Sequence, residues 1–209
     1  MNGRNKGWRV AVLALALSGG VMASGPAAAQ FSDGYKFLEA IKKVDSDGQK
    51  VIDMMSDPSI NVNTRDVTSG ETALHVLVRK RNNIWIQYLT QNRANPNIAD
   101  VHGVTPLMLA ANMGFVEGVQ SLIAAGGKVD TPNDTGETPL ISAVHRKDTA
   151  MVRVLLKAGA NPDRADNSGR SARDYAQFDG RANPVLTEIE NASKAKAATA
   201  GRVFGPTIP

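Results

Sequence analysis

The 209-residue sequence predicts an all-α solenoid of stacked helix-turn-helix units with a capping repeat at each end. The first observation is a period of 33 residues, which several residue types share. Its most visible members are Gly70, Gly103, Gly136 and Gly169. The second observation is that apolar residues recur at helical spacing within each period. Because one helix pair buries its apolar stripe only against neighbouring pairs, this period indicates a stacked array.

Residues 1–29 have the pattern of a secretory signal peptide. Arg4, Lys6 and Arg9 give a positive start, an apolar run follows at residues 10–17, and small residues lead to Ala29. This run is much shorter than the ~20 residues of a membrane-spanning helix. We expect cleavage near Ala29, a periplasmic or secreted location and no membrane span after cleavage. An uncleaved membrane anchor is the alternative.

Residues 30–66 are predicted to form an N-terminal lead and a capping repeat of two short helices. Apolar residues at helical spacing define the predicted buried faces, which consist of Phe37, Leu38 and Ile41, then Val51, Ile52 and Met55. The register slips by one position before the first full repeat. Seven positions separate Asn63 from Gly70, whereas six separate Asn97 from Gly103.

Three full repeats are predicted at residues 67–99, 100–132 and 133–165. Thr105 and Thr138 can cap a first helix through their hydroxyls, and each precedes a proline that suits the first helical position. Glycines beyond the second helices permit the left-handed conformation that ends a helix. Arg93 takes that place in the first repeat, which predicts a looser helix end there.

Residues 166–180 are predicted to form a degenerate C-terminal capping repeat. Arg173 stands where the period expects leucine, so we expect it to face water as an end repeat requires. Residues 181–209 are predicted to be a tail with a short helix that carries Leu186 and Ile189 on one face. Its apolar end at 203–209 fits a docked or frayed tail better than a binding peptide.

One motif opens each full repeat. It reads Gly70-Glu71-Thr72-Ala73-Leu74-His75, then Gly103-Val104-Thr105-Pro106-Leu107, then Gly136-Glu137-Thr138-Pro139-Leu140, and Ala158-Gly159-Ala160-Asn161 closes the last of them. These motifs resemble ankyrin repeats over roughly residues 33 to 179. The resemblance implies a protein partner on the concave face and a histidine ring, that of His75, which ties the turn to the helix.

Composition excludes several other functions. Removal of the three leading basic residues reduces the net charge from +4 to an excess of one positive charge, so no basic field supports nucleic-acid binding. Cysteine is absent, which excludes disulfides and thiolate chemistry. Asp134-Thr135-Gly136 looks like an aspartic-protease motif but has no second copy, and its place predicts a turn. Asp45-Ser46-Asp47-Gly48 lacks the other ligands of a calcium loop and is interpreted as a helix joint.

We therefore expect a monomeric, non-catalytic protein-protein interaction module without cofactor or metal. The alternative is an enzyme or an accessory subunit of the cell envelope, with active groups in the tails or between repeats. By position in the resemblance, partner-binding residues occupy the turn tips and the ends of the first helices. They are Ser69, Glu71, Arg79, Lys80, His102, Val104, Asn112, Met113, Thr135, Glu137, His145, Arg146, Ser168, Arg170 and Phe178.

Two acid-base pairs add a charge pattern to this surface. Glu71 and Lys80, like Glu137 and Arg146, are nine residues apart, or roughly 13 Å along a helix. At that separation we expect neither pair to neutralise itself, so that Lys80 and Arg146 serve as separate anchors for a partner. Solvated charges that only keep the solenoid soluble are the alternative.

Overall fold

The computed structural model describes residues 33–178 and 183–200, and within these ranges it contains ten α-helices. The helices are α1 (Asp33–Lys42), α2 (Gly48–Met55), α3 (Ala73–Arg79), α4 (Asn83–Gln91), α5 (Pro106–Asn112), α6 (Val116–Ala124), α7 (Pro139–His145), α8 (Thr149–Lys157), α9 (Ala172–Phe178) and α10 (Pro184–Ala200). Among the described residues, one isolated antiparallel β-bridge joins Ala165 and Ser171. The predicted all-α repeat array is confirmed. The expectations for the signal peptide and for residues 203–209 lie outside the described residues.

The helices form two layers. The odd-numbered helices contact one another in chain order and make the first-helix layer, while α4, α6, α8 and α10 contact in turn in the second-helix layer. Residues that repeat at the 33-residue period fill the space between the layers. They include Leu74, Leu107 and Leu140, then Ile86, Val119 and Val152, then Leu89, Leu122 and Leu155. The apolar columns seen in the sequence therefore form one continuous core.

The predicted helix caps form as the sequence indicates. The Thr105 hydroxyl accepts a hydrogen bond from the Met108 backbone N–H at 3.2 Å, and the Thr138 hydroxyl accepts one from Ile141 N–H at 3.2 Å. These bonds satisfy donors that the first turn of a helix leaves unpaired. They fix where each first helix begins, and with it the position of the turn that precedes it.

The end of α4 differs from the expectation of a looser helix end. Arg93 adopts a left-handed φ of 72°, close to that of Gly126 after α6 (86°). Its carbonyl also accepts a hydrogen bond from the Asn63 side-chain amide at 3.0 Å. A bond from the preceding repeat thus holds this turn in the same conformation that glycine supplies elsewhere.

A ladder of polar side chains joins successive repeats at these turns. Asn97 donates from its amide to the Gly126 carbonyl at 3.0 Å and accepts from Lys128 N–H at 2.8 Å. Asn63 makes the equivalent two bonds one repeat earlier. Asp130, one repeat later, accepts from Asn161 N–H at 2.9 Å but has no hydrogen to donate. The ladder is therefore complete at two joints and half-made at the third.

The register slip lies in the first turn tip. The Asp66 N–H donates to the carbonyl of Glu71, five residues on, whereas Asp100 N–H donates to Val104, four residues on. The first tip is thus one residue longer than the next. The extra length leaves Val67 96% exposed.

At the N-terminal end, α1 and α2 form the predicted helix pair, and residues 43–47 make the expected joint between them. Asp47 caps α2 by accepting from Lys50 N–H. Phe37 and Val51 are fully buried, but the prediction that Ile52 is buried is wrong, because this residue is 36% exposed. The face of α2 that packs on the array is therefore narrower than its apolar pattern indicates.

The C-terminal end differs from the predicted tail with a short helix. Helix α10 has 17 residues and packs on α8 and α9, where it buries Val185, Leu186 and Ile189. It thus completes a fifth helix pair with α9. Arg173 does not simply face water, since it donates to Asp163 and to the Ser193 hydroxyl of α10. The prediction failed because α10 covers the side of α9 that was expected to be the end of the array.

Candidate functional site

The predicted binding residues line one edge of the array, at the turn tips and the ends of the first helices. All of them are exposed or half-buried. Tip residues such as His102, Thr135 and Ser168 are exposed, while the tip backbone is fixed by aspartate and asparagine side chains. This edge therefore combines a rigid backbone with side chains that, apart from Met113, lie outside the hydrophobic core.

The expectation that Glu71 and Lys80 keep unpaired charges is wrong. The guanidinium of Arg79 binds Glu71 Oε1 through Nε at 3.0 Å and also through Nη2. The ammonium of Lys80 binds Asp45, which comes from the joint of the N-terminal cap and also accepts from Asn82 at 2.8 Å. The expectation rested only on the distance between Glu71 and Lys80. It failed because long side chains reach other partners, Arg79 on the same helix and Asp45 in the N-terminal cap.

Arg146 is exposed, and its role as a separate anchor for a partner stays a prediction. Its Nη2 lies 3.0 Å from the place that a Cβ on Gly114 would occupy, and Asp148 Oδ2 lies 3.4 Å from the same point. The side chain is thus directed at the joint of the preceding repeat. That joint also requires a residue at positive φ, which is Gly114 here.

Glu137, His145 and Tyr175 form a cluster at the other end of the edge. His145 Nδ1 lies 3.5 Å from Glu137 Oε1, and the two side chains are 47% and 27% exposed. The Tyr175 ring, from the next first helix, meets the His145 ring edge-on with centroids 4.4 Å apart. Two predicted residues thus come together with one that the sequence did not single out.

Tyr175 is fixed by the turn tip of its own repeat. Its hydroxyl donates to Asp166 Oδ2 at 2.7 Å, and the Ser168 hydroxyl donates to Asp166 Oδ1 at 2.7 Å. These hydrogen bonds lower the pKa of Asp166 to about 2, so the carboxylate is ionised at neutral pH. The guanidinium carbon of Arg170 lies 6.0 Å from the Tyr175 ring centroid, at the outer limit of a cation-π contact.

His75 ties the turn to the helix, as the resemblance implied, and it also joins two repeats. Its Nδ1 accepts from Thr72 N–H at 3.1 Å, so the proton must lie on Nε2, which donates to the Val104 carbonyl at 2.9 Å. The ring is fully buried. This burial lowers the pKa of His75 below its ordinary value. Val104, predicted as a partner contact, is therefore held in place through its carbonyl.

The middle of the edge is held by contacts between neighbouring first helices. The Ser142 hydroxyl donates to Asn112 Oδ1, and Arg81 donates to the carbonyl of Met113. The guanidinium carbon of Arg81 lies 5.5 Å from the Phe115 ring centroid. The side chain of Asn112 and the backbone of Met113 are thus held by hydrogen bonds from neighbouring repeats. Phe178, at the end of α9, is 91% exposed.

The sequence analysis did not identify three residues that shape this edge, namely Tyr175, Arg81 and Phe115. Tyr175 carried a signal, because it lies 33 residues after Ser142 on a first helix, and tyrosine is common in binding surfaces. Arg81 carried none, since its role depends on a left-handed φ of 52° that the sequence does not reveal.

Other candidate sites are shallow. Open grooves of about 390 Å³ and 240 Å³ lie between α8 and α10, where they share Leu156 and Ala192, and one of about 250 Å³ lies on α1 and α2. Among the described residues, no group of three or more histidine, aspartate and glutamate side chains could hold a metal ion. No helix in the same part of the chain is long and apolar enough to cross a membrane.

The fold and this edge define a stacked helical-repeat protein that displays varied side chains on a fixed backbone. A family model described as ankyrin repeats in three copies matches residues 37–133, and one described as ankyrin repeats in many copies matches residues 122–176. Together they run without a gap over more than half of the chain. The chain therefore belongs to the ankyrin-repeat family, whose repeats are in general non-catalytic modules for protein-protein interaction.

Several curated proteins are similar over the repeats. A putative ankyrin repeat-containing protein of Treponema pallidum (strain Nichols) is 28% identical over 129 residues, which are 61% of this chain and 43% of that protein. The B-cell lymphoma 3 protein homolog of Mus musculus is 32% identical over 127 residues, 58% of this chain and 28% of that protein. The transient receptor potential cation channel subfamily A member 1 homolog of Caenorhabditis elegans is 31% identical over 107 residues, 51% and 9% of the two chains. The chain thus spans less than half the length of these relatives.

Proposed function

We propose that this chain is an exported protein-binding module that holds a protein partner on the concave face of the array, at the edge formed by the turn tips and first-helix ends. One observation carries the proposal. At this edge the side chains differ from repeat to repeat and are exposed or half-buried, whereas the columns behind them stay apolar and buried. Side chains that vary on an invariant scaffold are what recognition of a particular partner requires.

Site-specific cross-linking tests this proposal while the partner is still unidentified. A photoreactive phenylalanine derivative is placed at His102, Thr135 or Ser168, which are exposed tip residues. Matched controls carry it at Gln91, Gln120 or Glu190, which are exposed on the second-helix layer. After irradiation in cells, we expect protein adducts from the tips and not from the controls. Adducts from the second-helix layer alone would place the binding surface elsewhere.

Export forms the second part of the proposal, and the signal pattern of residues 1–29 supports it. We expect the mature chain to begin near Gln30 and to be found in the periplasm or the medium. Intact-mass measurement of the exported fraction tests this expectation. A chain that still begins at Met1 in that fraction would contradict cleavage.

A further inference from the structure

The array carries two acid-base pairs at equivalent places. Glu71 and Glu137 each stand directly before the threonine that caps a first helix, and Arg79 and His145 each stand eight residues later. The backbone carbonyls of both glutamates accept a hydrogen bond from the turn tip, at 2.8 Å for Glu71 and 3.0 Å for Glu137. Both carboxylates therefore stand between a turn tip and the start of a first helix, although the tip before Glu71 is one residue longer.

In the first repeat the chain supplies the cation itself. Arg79 binds one carboxylate oxygen of Glu71 through two of its nitrogens. The Glu71 side chain is 18% exposed in this pair. The first repeat thus shows how a guanidinium engages a glutamate at this place in the array.

In the third repeat a histidine, not a permanent cation, takes that place. His145 approaches Glu137 only to 3.5 Å, and an imidazole carries a charge only when it is protonated. The Glu137 side chain is 27% exposed, more than that of Glu71. A carboxylate with this geometry can accept further charge-assisted hydrogen bonds from outside the chain.

The neighbouring charged groups leave Glu137 accessible to a cation. Arg146 is directed at the Gly114 joint, and Arg170 lies over the Tyr175 ring. Neither makes an ion pair with Glu137 among the described contacts. Asp166 is ionised and accepts a hydrogen bond from the Tyr175 hydroxyl, so a second negative charge lies at that residue of the cluster. A partner's carboxylate would be repelled here, whereas a cation would be attracted.

We propose that Glu137, His145 and Tyr175 bind an arginine side chain of the protein partner, an inference that rests on the proposed function of this edge. The partner's guanidinium takes the place at Glu137 that Arg79 takes at Glu71. The rings of His145 and Tyr175, which meet edge-on, supply flat surface beside the carboxylate, and a guanidinium stacks on such rings while it donates in its plane. An ammonium lacks that planar fork, so arginine is preferred over lysine.

Titration of the isotope-labelled protein with three short peptides tests the proposal. The probes are N-acetyl-Gly-Leu-X-Leu-Gly-amide with arginine, lysine or glutamine at X, and backbone amide NMR shifts report binding residue by residue. We expect the arginine peptide to shift the amides of Glu137, His145 and Tyr175. The glutamine peptide should bind about fivefold more weakly, which is the upper range for an exposed charge pair.

A reciprocal exchange of the two bases provides matched variants. His145→Arg should fill the place from within the chain, as Arg79 does, and reduce arginine-peptide binding by about the same fivefold factor. Arg79→His should expose Glu71 and create a second site. That site should be weaker, because Leu109 stands where the period places Tyr175. Glu137→Gln removes the carboxylate and should act as His145→Arg does, while thermal unfolding confirms that each variant folds.

Three results would overturn the arginine inference. The first is equal binding of the arginine and glutamine peptides at Glu137, and the second is undiminished binding to folded His145→Arg. The third is peptide binding at other turn tips, which would leave the proposed function intact. Failure of the proposed function has a different signature, which is cross-linking from the second-helix layer.

Discussion

Protonation of His75 should make the stability of the array depend on pH. In the native state Nε2 already carries a proton, which it donates to the Val104 carbonyl, and Nδ1 accepts from the Thr72 N–H, so protonation of Nδ1 would cost the bond from Thr72. Burial lowers the pKa of the native ring, whereas the unfolded ring has an ordinary pKa of about 6.5. Below that value the unfolded state binds a proton that the native state does not. Stability is therefore present above about pH 6.5 and lost as the pH falls.

The size of the effect follows from linkage. If the native ring stays neutral at pH 5.5, one unit below the unfolded pKa, the free energy of unfolding falls by about 1.4 kcal/mol relative to pH 7.5. This is an upper value, because a native ring that begins to titrate recovers part of it. A loss of this size is a substantial part of the stability of a small domain.

Urea unfolding followed by circular dichroism at several pH values measures the effect. The control is His75→Met, because the next repeat has a buried methionine, Met108, at the equivalent place. This variant is less stable throughout, since it leaves the Val104 carbonyl without its partner. Its stability should nevertheless fall less than that of the wild type between pH 7.5 and 5.5. Parallel curves for the two proteins would refute the assignment of a neutral, buried His75.

Three further predictions concern the joints, the tip and the core. Asn97→Asp removes the amide hydrogen that binds the Gly126 carbonyl and should cost about 1 kcal/mol in urea unfolding, and an unchanged midpoint would contradict a role for the ladder. Tyr175→Phe removes one donor to Asp166 and should raise its pKa from about 2, as a carboxyl-carbon NMR titration would show; an unmoved midpoint would mean that the bond is not made in solution. Leu122→Ala opens the fully buried centre of the stack and should cost about 2 to 5 kcal/mol, so that a loss under 1 kcal/mol in urea unfolding would contradict its place in the core.

The sequence could predict the helices and the core because both depend on apolar spacing and on local caps. Leu74, Leu107 and Leu140 lie 33 residues apart and occupy the same place in successive first helices. Once one repeat is assigned correctly, the period therefore gives the buried positions of the others. Helix α10 was underestimated for a different reason. Residues 181–209 were predicted to be a tail with only a short helix, although alanine and lysine recur over residues 192–200 and are among the strongest helix formers.

The polar contacts of the candidate site could not be predicted in this way. Lys80 binds Asp45, which is 35 residues away in the N-terminal cap, and Ser142 binds Asn112, which is 30 residues away in the preceding repeat. Such contacts depend on side-chain length and rotamer, which vary independently of the period. Correct placement of a residue on the edge of the array therefore does not reveal whether its charge is already compensated.

The comparison of Glu71 with Glu137 shows what the repeated backbone adds to such contacts. The backbone carbonyls of both glutamates accept a hydrogen bond from a turn tip, which is one residue longer at Glu71, and the two sites differ also in the residue eight positions later and in the facing helix. With Arg79 the carboxylate is satisfied within the chain, whereas with His145 it stays half-exposed beside an aromatic pair. One substitution at the position of Arg79 or His145 should thus change whether the carboxylate is satisfied within the chain, and it should not disturb the core, because neither side chain belongs to the buried columns. In a repeat array the scaffold and the specificity are therefore set by different residues, and the specificity is best judged by which charged groups the chain leaves without an internal partner.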